Sequence, residues 1–183
     1  MKWSIPGTTL QIRREDAEHI EETFSSMFLA GGITLGQVAS ITGLETYTIQ
    51  NWVKRGFLSS PENRHYSLGQ LCRIIHINML KSILSLETVC SLLQYINGKL
   101  DDTADDIIDD AQLYFLFVKL AARAKQLDDT AAWKQAMAEA LADYREPFPG
   151  AKERIAQALR VMLIGWLAAR MVQNARRLLN EKK

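Results

Sequence analysis

The stretch that decides the fold runs from Ile33 to Tyr66 and reads ITLGQVASITGLETYTIQNWVKRGFLSSPENRHY. Apolar residues recur at helical spacing on both sides of a break: Leu35, Val38, Ala39, Leu44, Ile49, Trp52 and Val53. This spacing predicts two short helices joined by a sharp turn. Gly43 suits the turn because glycine tolerates positive φ, and Thr34 is placed to cap the first helix. The second helix should end at Gly56, after two basic residues that suit a helix C-terminus.

Beyond Gly56, Phe57-Leu58 and His65-Tyr66 flank a polar loop, which predicts a small β-hairpin or wing. The order of two helices, a wing and the run RHYSLGQL resembles the head of the MerR-type winged helix-turn-helix regulators. The resemblance covers about residues 33 to 93, and it implies two helices after the wing, over Leu68 to Leu84 and from Ser85 to Leu93. The whole chain also resembles an uncharacterised bacterial family in which such a head precedes a helical tail. That second resemblance implies no function.

The MerR-type resemblance implies that the head binds double-stranded DNA. The side chains it would place against DNA lie on the second helix and in the wing: Thr46, Tyr47, Gln50, Asn51, Lys54, Arg55, Arg64, His65 and Tyr66. Amide side chains such as that of Gln50 can bond bidentately to adenine, and the basic residues can hold phosphates. One departure concerns the second helix, where the family commonly has arginine followed by two aromatics and this chain has Gln50, Asn51 and Trp52. We expect Trp52 to be a core anchor.

Charge gives modest support for DNA binding. The whole chain has a formal net charge of only +1, so it has no general attraction to nucleic acid. Residues 33 to 84 carry five Lys or Arg and two Glu, a surplus of +3 that the sequence concentrates near the second helix and the wing. Such a surplus fits a reader that binds as a dimer, because two heads double the phosphate contacts. The alternative is a protein-interaction adaptor that uses the same fold without DNA.

The sequence offers little support for an enzyme or a metal protein. Cys72 and Cys90 lie in apolar helical patterns and match no metal spacing, so we expect buried thiols in a reducing cytoplasm. The histidines show no ligand spacing either, and His76 is expected to be a satisfied core residue. The aspartate-rich run over 101–110 lacks the glycine and glutamate of an EF-hand loop, so helix capping and a solvated face are the favoured interpretation. We therefore expect no cofactor, and the N-terminus has no apolar core typical of a signal peptide.

Outside the head, helical patterns dominate. Residues 16 to 29 predict an amphipathic helix whose apolar face would cover the back of the head or another subunit. The tail predicts a bundle of about three helices, with aromatics that either line a ligand pocket or, in the favoured interpretation, fill the core: Tyr114, Phe115, Phe117, Trp133, Tyr144, Phe148 and Trp166. The run VMLIGWLAA in the last helix is too short to cross a bilayer, which predicts a core or dimer helix with Leu163 and Trp166 at the interface.

The sequence as a whole predicts an all-α protein with a small β-wing. Its predicted units are an N-terminal helical extension over 1–32, a MerR-like winged helix-turn-helix domain over 33–97 and a helical dimerisation and effector domain over 98–183. The predicted function is that of a bacterial, cytoplasmic transcription regulator. It would bind DNA as a homodimer, and a small ligand bound in the helical domain would control it.

Overall fold

The computed structural model describes residues 2–98, 100, 106–124 and 130–181, and these are mostly helical. The strands are β1 (Lys2–Ser4), β2 (Gln11–Arg13), β3 (Ile33–Thr34) and β4 (His65–Tyr66). A 3-10 helix over Arg14–His19 precedes the α-helices, which are α1 (Ile20–Ser26), α2 (Leu35–Thr42), α3 (Thr46–Lys54), α4 (Leu68–Leu80), α5 (Leu86–Asn97), α6 (Asp110–Ala122), α7 (Thr130–Ala140) and α8 (Ala151–Asn180). The prediction of an all-α protein with few short strands is confirmed.

The N-terminus forms an antiparallel hairpin of β1 and β2, which the sequence did not predict. Trp3 and Ile5 are buried, and Gly7 turns the chain with a φ of +73°. A Cβ at Gly7 would lie 2.8 Å from Ile75 Cγ2, so glycine allows the hairpin to approach α4 closely. The hairpin therefore packs closely against α4 at Ile75 and Met79.

The helix predicted over 16–29 is shorter and begins as the 3-10 helix before α1. Its apolar face is buried as expected, but its partner is α6 in the predicted tail. The ring of Phe24 meets Tyr114 edge to face, with centroids 5.5 Å apart. The N-terminal segment therefore packs inside the chain, and neither the back of the head nor a second subunit is needed to cover it.

The two short helices and their turn form where the sequence predicts them. Thr34 caps α2 in a reciprocal capping box with Gln37, which satisfies two backbone N–H groups at the start of the helix. Gly43 follows α2 in the left-handed region with φ of 68°. In α3, Ile49 and Trp52 point into the core and are 0% and 4% exposed. The role of Trp52 as a core anchor is confirmed.

The loop after α3 differs from the predicted hairpin. Strand β4 pairs antiparallel with β3, so that Ile33 lies opposite Tyr66, and Phe57-Leu58 forms no strand. Leu58 is instead 3% exposed and belongs to the core, which removes it from any strand edge. Gln70 holds the loop against α4 because its Nε2 donates to the carbonyl oxygens of Ser59 and Ser60.

Helix α4 is the centre of the molecule. Nine of its residues are buried, among them the consecutive run from Leu71 to Ile77. It packs on α6 and α8, and a single hydrophobic cluster joins the buried residues of the predicted head to those of the predicted tail. The division at 97–98 thus marks a change of sequence pattern, while the core continues across it.

Helix α8 is the one helix of the described residues that is long and apolar enough, by length and composition, to cross a membrane. Its most apolar 18-residue window has a mean hydropathy of 1.4, and 44% of that window is buried inside the chain. This 18-residue window is longer than the run VMLIGWLAA, which by itself is too short to cross a bilayer. A core helix of a soluble protein has the same composition. From Arg170 to Glu181 every residue is exposed, so the last turns of α8 extend away from the core.

Candidate functional site

One face of α3 is free of the rest of the chain. Ile49 and Trp52 anchor the helix from below, and the spacing of 3.6 residues per turn leaves five exposed residues on the opposite side. These are Thr46, Tyr47, Gln50, Asn51 and Lys54. The side chain of Tyr47 is prominent, because 63% of the residue is exposed. All five are among the residues predicted to meet DNA.

The loop before β4 brings Arg64 to the same face. Gln50 and Lys54 of α3 and Arg64 of the loop line a cavity of about 500 Å³. Its other lining residues are apolar or aromatic: Leu35, Val53, Pro61 and Tyr66. The arrangement is a polar rim of amide and basic groups above an apolar floor.

The tip of the loop is a tight turn. His65 N donates to the carbonyl oxygen of Glu62 over 2.8 Å, and the two residues between them, Asn63 and Arg64, have φ of 47° and 65°. The left-handed conformation costs a non-glycine residue of this kind on the order of 1 to 3 kcal/mol, and such residues cluster at functional sites. Arg64 has no carboxylate partner within the described ranges, so the strained turn displays a free cation beside α3.

Two residues of the predicted DNA set have other roles in the structure. Arg55 donates from Nη2 to Glu87 Oε1 over 3.0 Å, and its guanidinium carbon lies 4.6 Å from the ring centroid of Phe57. Tyr66 is only 3% exposed, and burial raises the pKa of its hydroxyl. Tyr66 therefore belongs to the cavity floor, and the structure corrects the prediction that it faces DNA. Arg55 braces α3 against α5 through a surface ion pair in which its side chain stays 53% exposed, so its contact with DNA stays a prediction.

Three of the five basic residues of 33–84 lie on α3, at its C-terminal end or in the loop before β4, as predicted: Lys54, Arg55 and Arg64. The other contacts of the set reduce the number of unpaired cations there. Arg73 is buried, Arg55 pairs with Glu87, and Lys81 lies over the ring of Trp52 with Nζ 5.5 Å from the centroid. The exposed α3 face and its loop keep Lys54 and Arg64. Sequence reasoning counted charges along the chain, whereas pairing across more than thirty residues decides which of them remain free.

A buried polar cluster joins α4, α5 and α6, and the sequence did not predict it. Arg73 Nη1 lies 3.4 Å from Asp110 Oδ2, with 6% and 15% of the two side chains exposed. Asn97 Nδ2 donates to the other carboxylate oxygen over 3.4 Å, and Arg73 Nε donates to the carbonyl oxygen of Phe57. The pair therefore ties the loop after α3 and the end of α5 to the start of α6.

His76 lies beside this cluster and is 0% exposed, which confirms its predicted core position. The prediction that its polar atoms are satisfied is wrong, because neither ring nitrogen has a hydrogen-bond partner among the described residues. Asp110 Oδ1 lies 3.8 Å from Nδ1. The neighbouring Asp109 caps α6 by accepting from two backbone N–H groups, so the predicted capping role holds for that residue. Residues 101–105 of the aspartate-rich run lie outside the described residues.

Both cysteines are free and buried, as predicted. Burial raises the pKa of both thiols, well above the ordinary value for Cys72. Within the described ranges no group of three or more His, Cys, Asp or Glu side chains is arranged to hold a metal ion.

The predicted dimer contacts are buried within the chain. Leu163 and Trp166 are 4% and 7% exposed, and Trp166 packs edge to face on Phe117 with centroids 6.1 Å apart. The structure thus corrects their assignment, because a sequence shows that a helix is apolar on several sides but not which side meets the core. The exposed apolar residues of α8 occupy the other side: Val161, Ile164, Leu167, Met171, Val172, Leu178 and Leu179.

Similarity to known proteins is concentrated in the middle of the chain. A family model described as a domain of unknown function (DUF1836) matches residues 32–117. The uncharacterized protein YkrK of Bacillus subtilis (strain 168) is 31% identical over 86 residues, which are 45% of this chain and 37% of that protein. The match thus spans little more than a third of that relative. No solved structure matches the chain.

The family match extends beyond the end of the predicted head at residue 97. The match begins just before β3 and ends inside α6 at Phe117. It therefore includes Asp110 together with its partner Arg73. The matched length of chain runs from β3 through α5 and includes Asp110 to Phe117 of the helix that closes the buried polar cluster.

Proposed function

We propose that the protein is a sequence-specific DNA-binding transcription regulator of the MerR-like winged helix-turn-helix type. The observation that carries the proposal is the free polar face of α3 beside a strained turn that displays Arg64. A helix of this kind, anchored on one side and bare on the other, has the dimensions to enter a major groove about 12 Å wide. The loop with β4 then serves as the wing.

The residues of the α3 face divide into two roles. Gln50 and Asn51 are exposed amides that can bond to adenine, and the methyl of Thr46 can meet a thymine methyl. Lys54 and Arg64 hold phosphates on either side of the groove, and His65 lies next to Arg64 at the loop tip. Because only two free cations flank the reading residues, most of the affinity has to come from two heads acting together.

Selection from a random pool of double-stranded oligonucleotides with the full-length chain tests base reading. We expect an enriched palindromic sequence, since a twofold dimer reads two equivalent half-sites. Gln50→Ala should alter the preferred base at one position in each half-site. Gln11→Ala, an exposed glutamine of β2, is the control and should leave the preference unchanged. Enrichment of no sequence at all would refute base-specific recognition.

The dimer is proposed to form through the exposed side of α8. Ile164 and Met171, one helical repeat of seven apart, are 59% and 73% exposed, and the helix continues beyond the core with apolar residues on the same side. Contiguous apolar surface of this kind marks an interaction site in soluble proteins. We propose a second copy of the chain as its partner, because twofold pairing of α8 also supplies the second head.

Ile164→Glu combined with Met171→Glu should convert the dimer into a folded monomer, measured by sedimentation velocity. Leu163→Glu is the contrasting variant, because it places a charge in the core and should unfold the chain instead. A wild-type protein that sediments as a monomer at micromolar concentration would contradict the dimer.

A protein-interaction adaptor is the second candidate. The apolar floor of the cavity between α3 and the wing loop, formed in part by Val53 and Pro61, favours it, because such a floor accepts an apolar side chain of a partner. The exposed ring of Tyr47 beside it suits protein contact as well as DNA contact. A partner that competes for the α3 face, in a protein that selects no DNA sequence, would favour this candidate.

The proposal places the protein in the bacterial cytoplasm, where a transcription regulator works, and treats the apolar part of α8 as a core and dimer helix. A small-molecule effector remains part of it. The tail aromatics expected to line a pocket are largely packed on one another, since Tyr114 and Phe117 are 0% exposed. Trp166 does line a cavity, which it shares with the N-terminal hairpin.

A further inference from the structure

A second, larger cavity lies on the side of the molecule formed by the N-terminal hairpin, the end of α4 and α8. It has a volume of about 1070 Å³, which is ample for a small organic ligand. Trp3 and Trp166 are among the residues that line it, and so is Thr42 at the end of α2. The cavity therefore touches the N-terminal hairpin, the predicted head and the predicted tail at once.

Positive charge converges on this cavity. Its charged lining residues are Lys2, Arg14, Lys81 and Arg170, with Glu15 as the single acid. Glu15 lies 3.8 Å from Arg13, which is outside the lining. None of the four basic side chains forms an ion pair with any described residue. Arg55, Arg73 and Arg123 form ion pairs, whereas these four cations line one cavity without one.

Three of these cations lie over aromatic rings: Lys81 over Trp52, and the two arginines over indoles that line the cavity. The guanidinium of Arg14 lies 5.7 Å from the centroid of Trp3, and that of Arg170 lies 4.8 Å from the centroid of Trp166. Stacking uses the flat face of a guanidinium and leaves its N–H edges available to a carboxylate or phosphate. Arg14 Nη1 already donates to the carbonyl oxygen of Ala122 over 3.4 Å, so an anion would meet the other N–H groups of Arg14. The arginines are thus oriented in advance for an anion.

Trp3 and Lys81 each carry a polar group at the cavity that lacks a hydrogen-bond partner or full solvation. The indole N–H of Trp3 is buried without a hydrogen-bond partner among the described residues, which is uncommon for a donor of this kind. Partial burial lowers the pKa of the Lys81 ammonium group. An anion beside Lys81 would offset that loss of solvation.

We propose that this cavity binds a small organic anion that carries phosphate or carboxylate groups, held by Arg14, Lys81 and Arg170. Charge selects the ligand class, and the indole walls with Met79 and Ala169 accept its apolar part. The proposal does not depend on what α3 recognises.

Titration calorimetry of the full-length chain with pyrophosphate and, separately, with citrate tests the site at low ionic strength. Three charge-assisted contacts should give a dissociation constant of about 1 mM for at least one of these probes. Tighter binding of pyrophosphate identifies a phosphate-bearing ligand, and tighter binding of citrate identifies a carboxylate. Absence of heat from both probes up to about 20 mM would overturn the proposal, because the free cations would then have no useful affinity for anions.

Matched variants separate a built site from general charge attraction. Arg170→Gln should weaken binding about tenfold, the effect of losing one strong charge-assisted contact. Arg176→Gln removes the same charge from the exposed end of α8, outside the cavity, and should leave the affinity unchanged. Equal losses in the two variants would overturn the proposal. Lys81→Gln, at the end of α4, provides the same comparison if Arg170→Gln fails to fold.

Discussion

Asp110→Ala should destabilise the protein strongly, because it leaves Arg73 charged and buried without its partner. The Arg73 side chain is 6% exposed, and the distance from its Nη1 to Asp110 Oδ2 is 3.4 Å. Removing one member of a buried pair of this kind costs about 3 to 5 kcal/mol in the free energy of unfolding. For a chain of this size that is a fall in melting temperature of roughly 6 to 20 °C.

The loss of stability should come from leaving Arg73 charged and unpaired, and not from losing the attraction between the two charges. Replacing both residues, as Arg73→Met with Asp110→Leu, should therefore recover most of the stability, since a well-packed apolar pair is often as stable as a buried ion pair. Asp16→Ala breaks the exposed pair of Asp16 with Arg13 and serves as the control. It should change stability little.

Urea unfolding followed by tryptophan fluorescence measures these free energies, and the single variants Arg73→Met and Asp110→Leu complete a double-mutant cycle with the double variant. The reasoning would be refuted if Asp110→Ala cost no more than Asp16→Ala. It would also be refuted if the double variant were less stable than both single variants, because the pair would then contribute through its own attraction.

Three further changes test the packing. Gly7→Ala should cost about 2 to 4 kcal/mol in the free energy of unfolding, because its φ is +73° and the new Cβ would lie 2.9 Å from a carbonyl oxygen of α4. Gly36→Ala, in open space on α2, is the control and should be neutral or stabilising. Thermal unfolding measures both variants. Trp52→Ala should cost about 3 to 5 kcal/mol in the free energy of unfolding, because the ring fills the core. Tyr47→Ala, at an exposed position of α3, is the control and should cost almost none. Comparable losses in the two variants would contradict the core position of Trp52. The Cys72 thiol should react with a maleimide only after denaturation, and rapid labelling of the native protein would contradict its burial.

The elements that follow from local sequence were predictable. The α2–α3 pair depends on apolar spacing, the Thr34 cap and a glycine at the turn, all of which act over a few residues. The N-terminal hairpin was missed because its strands have three residues each, too short for an alternating pattern to stand out.

What could not be predicted depends on contacts between distant residues. The partner of β4 is β3, about thirty residues earlier, and the hairpin pattern favoured the nearer Phe57-Leu58. Arg73 is buried against Asp110, and Arg55 pairs at the surface with Glu87; neither pairing has a sequence signature. The same limit explains why Tyr66 was wrongly predicted to face DNA: its burial depends on the pairing of β4 with β3.

The most direct test of DNA recognition is the salt dependence of binding to the selected sequence, measured by fluorescence anisotropy. With Lys54 and Arg64 on each of two heads, the plot of log affinity against log salt should have a slope of about −4. Lys54→Ala and Arg64→Ala should each flatten it by about two and weaken specific and random DNA alike, because the dimer loses two phosphate contacts. Lys134→Ala, which removes a positive charge from an exposed position of α7 in the tail, is the matched control and should leave the slope unchanged. An absence of DNA binding, or a slope that neither Lys54→Ala nor Arg64→Ala alters, would contradict the proposed function.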